Sequence, residues 1–548
     1  MRVFGSVDTF VEGRHRDLRI GRAVATTSFL QALLRHGDFD RYHLFCPSSA
    51  TQRALRPVLE DLVGSEAAGR VDLLHQLELP TRLASTRYAV FHCGGWSRYH
   101  PRLAWLRAAP GVHPFPITGM IHSLDTVDHA MAQFLAAPYG PCDAVACSST
   151  AGREAFQRLL GAVGRRLARP GAAPAAFPGQ LPVIPLGVSD EAFARRDRAS
   201  CRAALALPPA ALVLLWVGRL SAQDKADLVP LLRAVRPLAS GRELRLVLAG
   251  GADEANLKAI SAAVGELGLR EQVVLAPNVT DAQKVALLGA ADVFVSPVDN
   301  VQETFGIAVG EAMAAGLPVV ASDWNGYRDL VEHGVTGFLV PTTWARPPAS
   351  LTRLRGILDA PVGQLAAAQG VAVDQAALTA ALGRLAEDPG LRSTLGEAGR
   401  KKAQALWTWE AVLRRHVALW RELEVAAQAF RPPPGEDPDI VDLQDAFGHY
   451  PTRTLDLAAT LWLTPSGAEV LAGRTPPPAV YEDLVPLLDG VLATALLQGL
   501  RDGPRPLGTL ADRLPGRASL EPGSLEYAAL WLLKHGLLAL EAPAGHGP

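Results

Sequence analysis

"QETFGIAVGEAMAAGLPVVASDWNG", residues 302–326, sets two acids, Glu303 and Glu311, eight positions apart in a run that is otherwise mostly small and apolar. Gly306 suits the start of a helix. Gly316 stands where a helix end favours a left-handed residue, and Pro318 restarts the chain as the strand "PVVAS". The preceding "ADVFVSPVDN" reads as a buried strand ending in a proline-containing loop. The unit is therefore strand, loop, helix, strand, and Glu303 falls in the loop at the carboxyl edge of a parallel sheet. A helix beginning near Phe305 or Gly306 carries Glu311 about two turns inside, on one flank of the same crevice. Open α/β sheets bind ligands at that edge, where a helix N-terminus offers unpaired N–H groups and a positive dipole end. Two acids near a helix start are by themselves an ordinary accommodation of that dipole, so the surrounding chain decides what they mean.

Working outward, "LVLLWVGRL", "LRLVLAGG", "VVLAPNV" and "GFLVP" are further short apolar runs, with helical patterns such as "DAQKVALLGAA" between them. A comparable series fills residues 1–190: "MRVFGSV", "YHLFCP", "YAVFHCGG", "ITGMIH", "AVACSS" and "LPVIPLGV", with helices such as "TTSFLQALLRH". Alternation of strand and helix implies a parallel sheet covered on both faces. The expected fold is α/β, with two doubly wound Rossmann-like domains, 1–190 and 208–430, facing a cleft. "ARPPASLTRLRGILDAPVGQLAAAQG" interrupts the second as a surface insertion, and "WTWEAVLRRHVALWRELEVAAQAF" has helical spacing. The linker "RPPPGEDPD" then leads to a mainly helical third domain, 438–548, whose helix order is like that of a winged-helix module. Residues 436–548 hold 15 acids against 7 arginines and lysines, the wrong sign for gripping phosphates, so packing or dimerisation is the expected role.

Composition bounds the rest. With 49% hydrophobic and 20% charged residues and a formal charge of −2 over 548 residues, the chain reads as a soluble globular protein of several domains with no nucleic-acid partner. Its five cysteines form no C-x-x-C pair, which argues against a disulfide framework or a zinc site and for a cytoplasmic setting. No run resembles a signal peptide or approaches about 18 uninterrupted apolar residues. Peripheral contact with a membrane surface stays open.

"ETFGIAVGEAMAAGLPVVAS" resembles the signature of the retaining GT-B glycosyltransferases of family 4, an E-x7-E pair within an E-x-F-G-I…E-A-M-A-x-G-x-P-V-V-A run. "WVGRLSAQDKADL" is similar to that family's G-R-L-S…K element, with one extra residue between Arg219 and Lys225 and Ala226 where glycine is frequent. "ITGMIHSLDT" resembles the strand ending in a histidine, here His122, that faces the donor sugar; "IPLGVSDEAF" resembles the usual exit from the first domain. The resemblance covers about residues 1–425. In "SDWNGYRDLVEHGVTGFLV", Asn325-Gly326 and Asp329 stand where Gly-Gly and glutamate are frequent.

The resemblance implies a hexosyl transfer from a nucleotide-diphosphate sugar to a hydroxyl acceptor with retention at the anomeric carbon, without a metal or a cofactor. Glu303 would hydrogen-bond sugar hydroxyls and Glu311 the ribose. Arg219 and Lys225 would offset charge on the leaving diphosphate, and N–H groups around Thr304, Phe305, Gly306 and Ile307 would contact phosphate and sugar. Residues 10–22 and "FHCGGWSRYH" are candidates for the acceptor side, with packing as the equal alternative. The competing reading is a GT-B protein that binds nucleotide sugar or glycan without turnover and serves as an assembly partner. A sugar phosphorylase or nucleotide-sugar epimerase is a more distant alternative.

Overall fold

A computed structural model describes residues 1–11, 21–124, 128–223, 225–354, 356–488, 490–512 and 521–541. The chain divides into two units, one made of Met1–Leu44, Pro57–Asp72 and Leu83–Gly435, the other of Phe45–Arg56, Leu73–Arg82 and Glu436–Pro548.

Two six-stranded sheets organise the chain before the C-terminal region. The first contains β1 (Val3–Ser6), β2 (Arg41–Cys46), β3 (Val71–His75), β4 (Tyr88–His92), β5 (Ile117–Met120) and β6 (Ala144–Ala146), in the order β3-β2-β1-β4-β5-β6. The second contains β7 (Leu212–Val217), β8 (Leu244–Gly250), β9 (Val273–Pro277), β10 (Val293–Ser296), β11 (Val319–Ser322) and β12 (Gly337–Val340). Its order, β12-β11-β10-β7-β8-β9, repeats the winding of the first, and each neighbouring pair is parallel. Central strands of such sheets are covered on both faces and so read as continuous apolar runs. "LVLLWV" and "VFVS" are of this kind, with Trp216 and Phe294 fully buried.

Two readings of the first domain need correction. "LPVIPLGV" does not form a strand: among the described residues it makes only isolated bridges, Val183 to Cys147 beside β6 and Val188 to Thr408. Pro182 and Pro185 bring no N–H to a ladder, which is why an apolar run of strand length fails to become one. Conversely "VDLLH" forms the edge strand β3, although its Asp72 and His75 hide the apolar signal.

The helix Trp409–Ala429 returns to the first sheet. Trp420 is fully buried there, packing edge-on against Phe4 and Phe29, and its Nε1 donates to Thr118 Oγ1 at 3.2 Å. The insertion is a small unit of its own: β13 (Thr342–Trp344) pairs antiparallel with β14 (Val371–Val373) and brackets helices Ala349–Leu354 and Ala360–Ala368. In the second unit β15 (Thr460–Leu463), β16 (Arg505–Pro506) and β17 (Leu538–Ala539) form an antiparallel sheet in the order β16-β15-β17. Helices Gly490–Gly499 and Ser524–Lys534 pack on it around Leu461, Leu496, Leu507 and Leu532. Helices outweigh the short strands in this region, consistent with the mainly helical C-terminal part expected from the sequence. Among the described residues no helix is long and apolar enough to cross a membrane.

Candidate active site

Strands β7 and β10 are neighbours from which the winding proceeds in opposite directions, and at such a switch point the loops beyond the strand ends part to leave a crevice. The loop after β7 brings Arg219 and Lys225 to it, and the loop after β10 brings Glu303. Lys225 reaches across because Gly218 has no side chain: a Cβ there would lie 3.0 Å from Lys225 Cε. Gly218 is itself tightly held, since a Cβ on Gly250 (φ +144°) would meet the Gly218 carbonyl at 1.9 Å.

Lys225 Nζ donates to Glu303 Oε2 at 2.6 Å, and Arg219 Nη2 donates to Gln302 Oε1 at 3.3 Å. Burial disfavours charge on Lys225, but the Glu303 carboxylate outweighs it and holds the ammonium above its ordinary range, against the repulsion of Arg219. Burial likewise disfavours the Glu303 anion. Lys225 and the N–H groups of Phe305 and Gly306 overcome it, so the carboxyl lies below its usual range. The result is a preformed pair of opposite charges with a second cation beside it.

The helix Ile307–Ala315 starts and stops at the expected glycines. Gly306 takes φ +102° and Gly316 φ +85°, both in the left-handed region that a side chain disfavours. At Gly306 a Cβ would also lie 2.3 Å from Tyr327 Cε1. The Phe305 N–H donates to Glu303 Oε1 at 3.2 Å, so in this state the N–H groups of Phe305 and Gly306 serve the carboxylate that follows β10. Thr304 faces the first domain: its carbonyl accepts from Ser149 Oγ at 2.6 Å and its hydroxyl from Ser148 Oγ at 3.2 Å. Beside it the Thr150 N–H donates to Asp329 Oδ2 at 2.6 Å, which gives the aspartate a part in joining the two domains. Asn325 adopts φ +43°, a conformation asparagine tolerates better than most residues, which accounts for Asn-Gly in place of Gly-Gly.

Glu311 lies in the second turn of its helix, nearer the start than expected, and is 5% exposed. It forms a separate ion pair, accepting from Lys284 Nζ at 2.6 Å. Lys284 was not singled out from the sequence. It sits in the first turn of the helix Asp281–Ala290, whose start is set by a capping box between Thr280 and Gln283. No spacing rule links residue 284 to residue 311; only the packing of two helices does.

His122 follows β5 in the first domain. Its Nε2 donates to the Gly94 carbonyl at 2.6 Å, while the Gly94 N–H donates to Asp8 Oδ2 at 2.7 Å, at that sheet's own switch point between β1 and β4. A narrow space there is lined by Phe10, Phe29, His92, His122, Trp409 and His416. Of the stretch 10–22, residues 12–20 lie outside the described residues. His92, His100 and Trp96 from "FHCGGWSRYH" are buried in the first domain's core, His92 bonded to Thr118 and His100 to Tyr139. Among the described residues no group of three or more histidine, cysteine or acidic side chains could hold a metal ion.

Comparison with known proteins bears on the family and the fold. Residues 197–359 match the family described as Glycosyl transferases group 1. The D-inositol 3-phosphate glycosyltransferase of Mycolicibacterium gilvum is 37% identical over 177 residues, 31% of this chain and 38% of that protein. That of Nocardia farcinica is 34% identical over 167 residues, 29% and 36% of the two chains. The chain thus matches little more than a third of the length of these relatives. Among solved structures, sucrose-phosphate synthase from Thermosynechococcus elongatus superposes with a TM-score of 0.53 at 22% identity, covering 78% of this chain and all of that one. A glycosyltransferase from Rickettsia africae gives 0.53 at 14% identity over 77% and 98%. Anabaena HepE in complex with UDP gives 0.52 at 17% identity over 76% and 99%. At such identities the likeness speaks for the fold. The chain therefore has the GT-B fold, and its second Rossmann-like domain contains a stretch that matches the group 1 glycosyltransferases.

Proposed function

We propose that this protein is a retaining glycosyltransferase that moves a sugar from a nucleotide-diphosphate donor to a hydroxyl acceptor. The observation that carries the reading is the Lys225–Glu303 pair with Arg219 beside it, at the β7/β10 switch point of the stretch that matches the family. For this purpose residues 1–190 are the acceptor side, 208–430 the donor side with its returning helix, and 438–548 a module for contacts between proteins.

The chemistry follows from where charge develops. As the glycosidic bond loosens, negative charge accumulates on the departing β-phosphate. Cations already in place lower that barrier without reorganising, so no metal is required. Arg219 and Lys225 supply this charge. Glu303 is kept ionised by its surroundings and so can only accept hydrogen bonds, which suits it to sugar hydroxyls rather than to donating a proton. When the donor binds, phosphate oxygens compete with Glu303 for Lys225 and for the N–H groups of Phe305 and Gly306. Glu311 accepts from the ribose, with Lys284 fixing its carboxylate. The leaving phosphate oxygen takes the acceptor's proton on the same face, which preserves the anomeric configuration. His122 approaches the sugar from the first domain.

A thermal-shift panel of nucleoside diphosphates and their sugars tests the donor assignment. One base should stabilise the chain, and its sugar nucleotide should be slowly hydrolysed without an acceptor. Stabilisation without any hydrolysis or transfer would favour a binding protein. No stabilisation by any nucleotide would refute the proposal. The names of the relatives place inositol phosphates among the first acceptors to try.

A further inference from the structure

The loop that carries Glu303 also holds an acid that the proposed transfer leaves without a task. Asp299 is 5% exposed, and its Oδ1 has no hydrogen-bond partner among the described residues. Its Oδ2 meets the Asp227 N–H at 3.4 Å, a long contact. Buried polar atoms are rarely left in this condition, and those that are call for a reason.

The neighbours supply one. Asp227 lies two residues beyond Lys225, on the loop after β7. Its carboxylate accepts from the Val229 N–H at 2.9 Å and from Gln369 Nε2 at 3.3 Å. Asn300, next to Asp299, repeats the bridge: its Nδ2 donates to the Gln223 carbonyl at 2.9 Å, and its own carbonyl accepts from Trp324 Nε1 at 3.0 Å. Residues 299 and 300 therefore join the loop bearing Lys225 to the loop bearing Glu303, at the switch point itself. The charged group acting on Asp299 is another carboxylate, Asp227. Burial, with that like charge in support and the Asp227 N–H opposing, pushes the Asp299 carboxyl up to about 7.

We propose that Asp299 is a positioning residue of the donor site: as a neutral acid it lets the loop of Lys225 close on the loop of Glu303, and when it ionises it repels Asp227 and loosens that closure. The inference rests on the donor-site reading above and adds to it a dependence on pH.

Asp299→Asn keeps the shape and removes the titration. The first arm needs no ligand. An acid favoured as neutral in the folded state lowers stability progressively from its unfolded value near 4 up to its folded value, and by a constant amount above it. Thermal unfolding should therefore show D299N gaining on the wild-type chain between pH 4 and 7, with the gap level at higher pH. The second arm measures affinity for the stabilising nucleotide from pH 6 to 9. In wild type it should fall above pH 7, by up to about tenfold per pH unit, the limit for one ionisation; in D299N that fall should be absent. In the wild-type chain alone, amide exchange over residues 299–307, corrected for its intrinsic pH dependence, should accelerate across the same window, which covers the case of a variant that folds poorly. A stability gap independent of pH, or identical affinity profiles in the two proteins, overturns the proposal. If no nucleotide binds either protein, the donor-site reading fails, and the first arm still decides whether Asp299 titrates as described.

Discussion

Replacing Lys225 by methionine keeps the length of the side chain and removes the charge that holds Glu303. The lysine and glutamate side chains are 17% and 18% exposed and meet at 2.6 Å. Removing one member of a well-buried pair costs about 3–5 kcal/mol because the other charge is stranded. Glu303 retains the N–H groups of Phe305 and Gly306 and some access to water, so a loss of about 2 kcal/mol at pH 7 is the better expectation. The sign with pH is fixed. The folded state holds this carboxyl below its ordinary range, so the pair's contribution is present above the unfolded value near 4 and is lost as pH falls through the folded one. The deficit of Lys225→Met should thus be largest at neutral pH and shrink towards pH 3. Because a chain of several domains has no single unfolding free energy, the assay should be local: hydrogen exchange of the amides from 303 to 309. About 2 kcal/mol corresponds to roughly 30-fold less protection, and Phe305 is the direct reporter. Adding Glu303→Gln to the same chain should restore most of the loss, since no buried charge is then stranded. Unchanged protection in the single variant, or a double variant worse than both singles, would refute the view that this pair organises the crevice.

Gly306→Ala should lower Tm by at least about 5 °C, because it forces a side chain into φ +102° and a Cβ to within 2.3 Å of Tyr327, together about 2–4 kcal/mol; an unaltered melting curve would contradict the helix start described. Glu311→Gln should weaken the nucleotide about ten- to a hundredfold, the value of one hydrogen bond to a charged group, measured by calorimetry; wild-type affinity would remove Glu311 from the ribose. His416 is buried with Nε2 unpartnered, and burial pushes it down to about 3, so the folded chain loses stability as pH drops below the unfolded value near 6.5. At pH 5 that loss is about 2 kcal/mol, and His416→Leu should flatten the fall in Tm between pH 6.5 and 4.5; an equal fall in both proteins would mean that other groups set the acid limit.

Much of the second Rossmann-like domain could be read along the chain. Each run taken as one of its strands became one, the central ones because parallel strands covered on both faces must be apolar throughout and leave a contiguous mark. Glycines 306 and 316 marked the helix ends because only a residue without Cβ enters the left-handed region at little cost, and "WVGRL" led to Arg219 through its likeness to the family's G-R-L-S…K element. The first domain was less legible. Asp72 and His75 disguise an edge strand, while "LPVIPLGV" has a strand's composition but prolines that cannot join a ladder.

What the amino-acid order determined alone, then, is where the strands of the second sheet run, where the helix after Glu303 starts and stops, and which residues stand at that sheet's carboxyl edge. Those features depend on near neighbours, on φ preferences and on apolar period. Which groups meet at that edge was decided only by the tertiary structure. Lys284 finds Glu311, Ser149 finds the Thr304 carbonyl, and Asp227 comes to lie beside Asp299. Crossover connections place loops from distant parts of the chain side by side, and the distance in sequence between such loops carries no imprint of the distance in space.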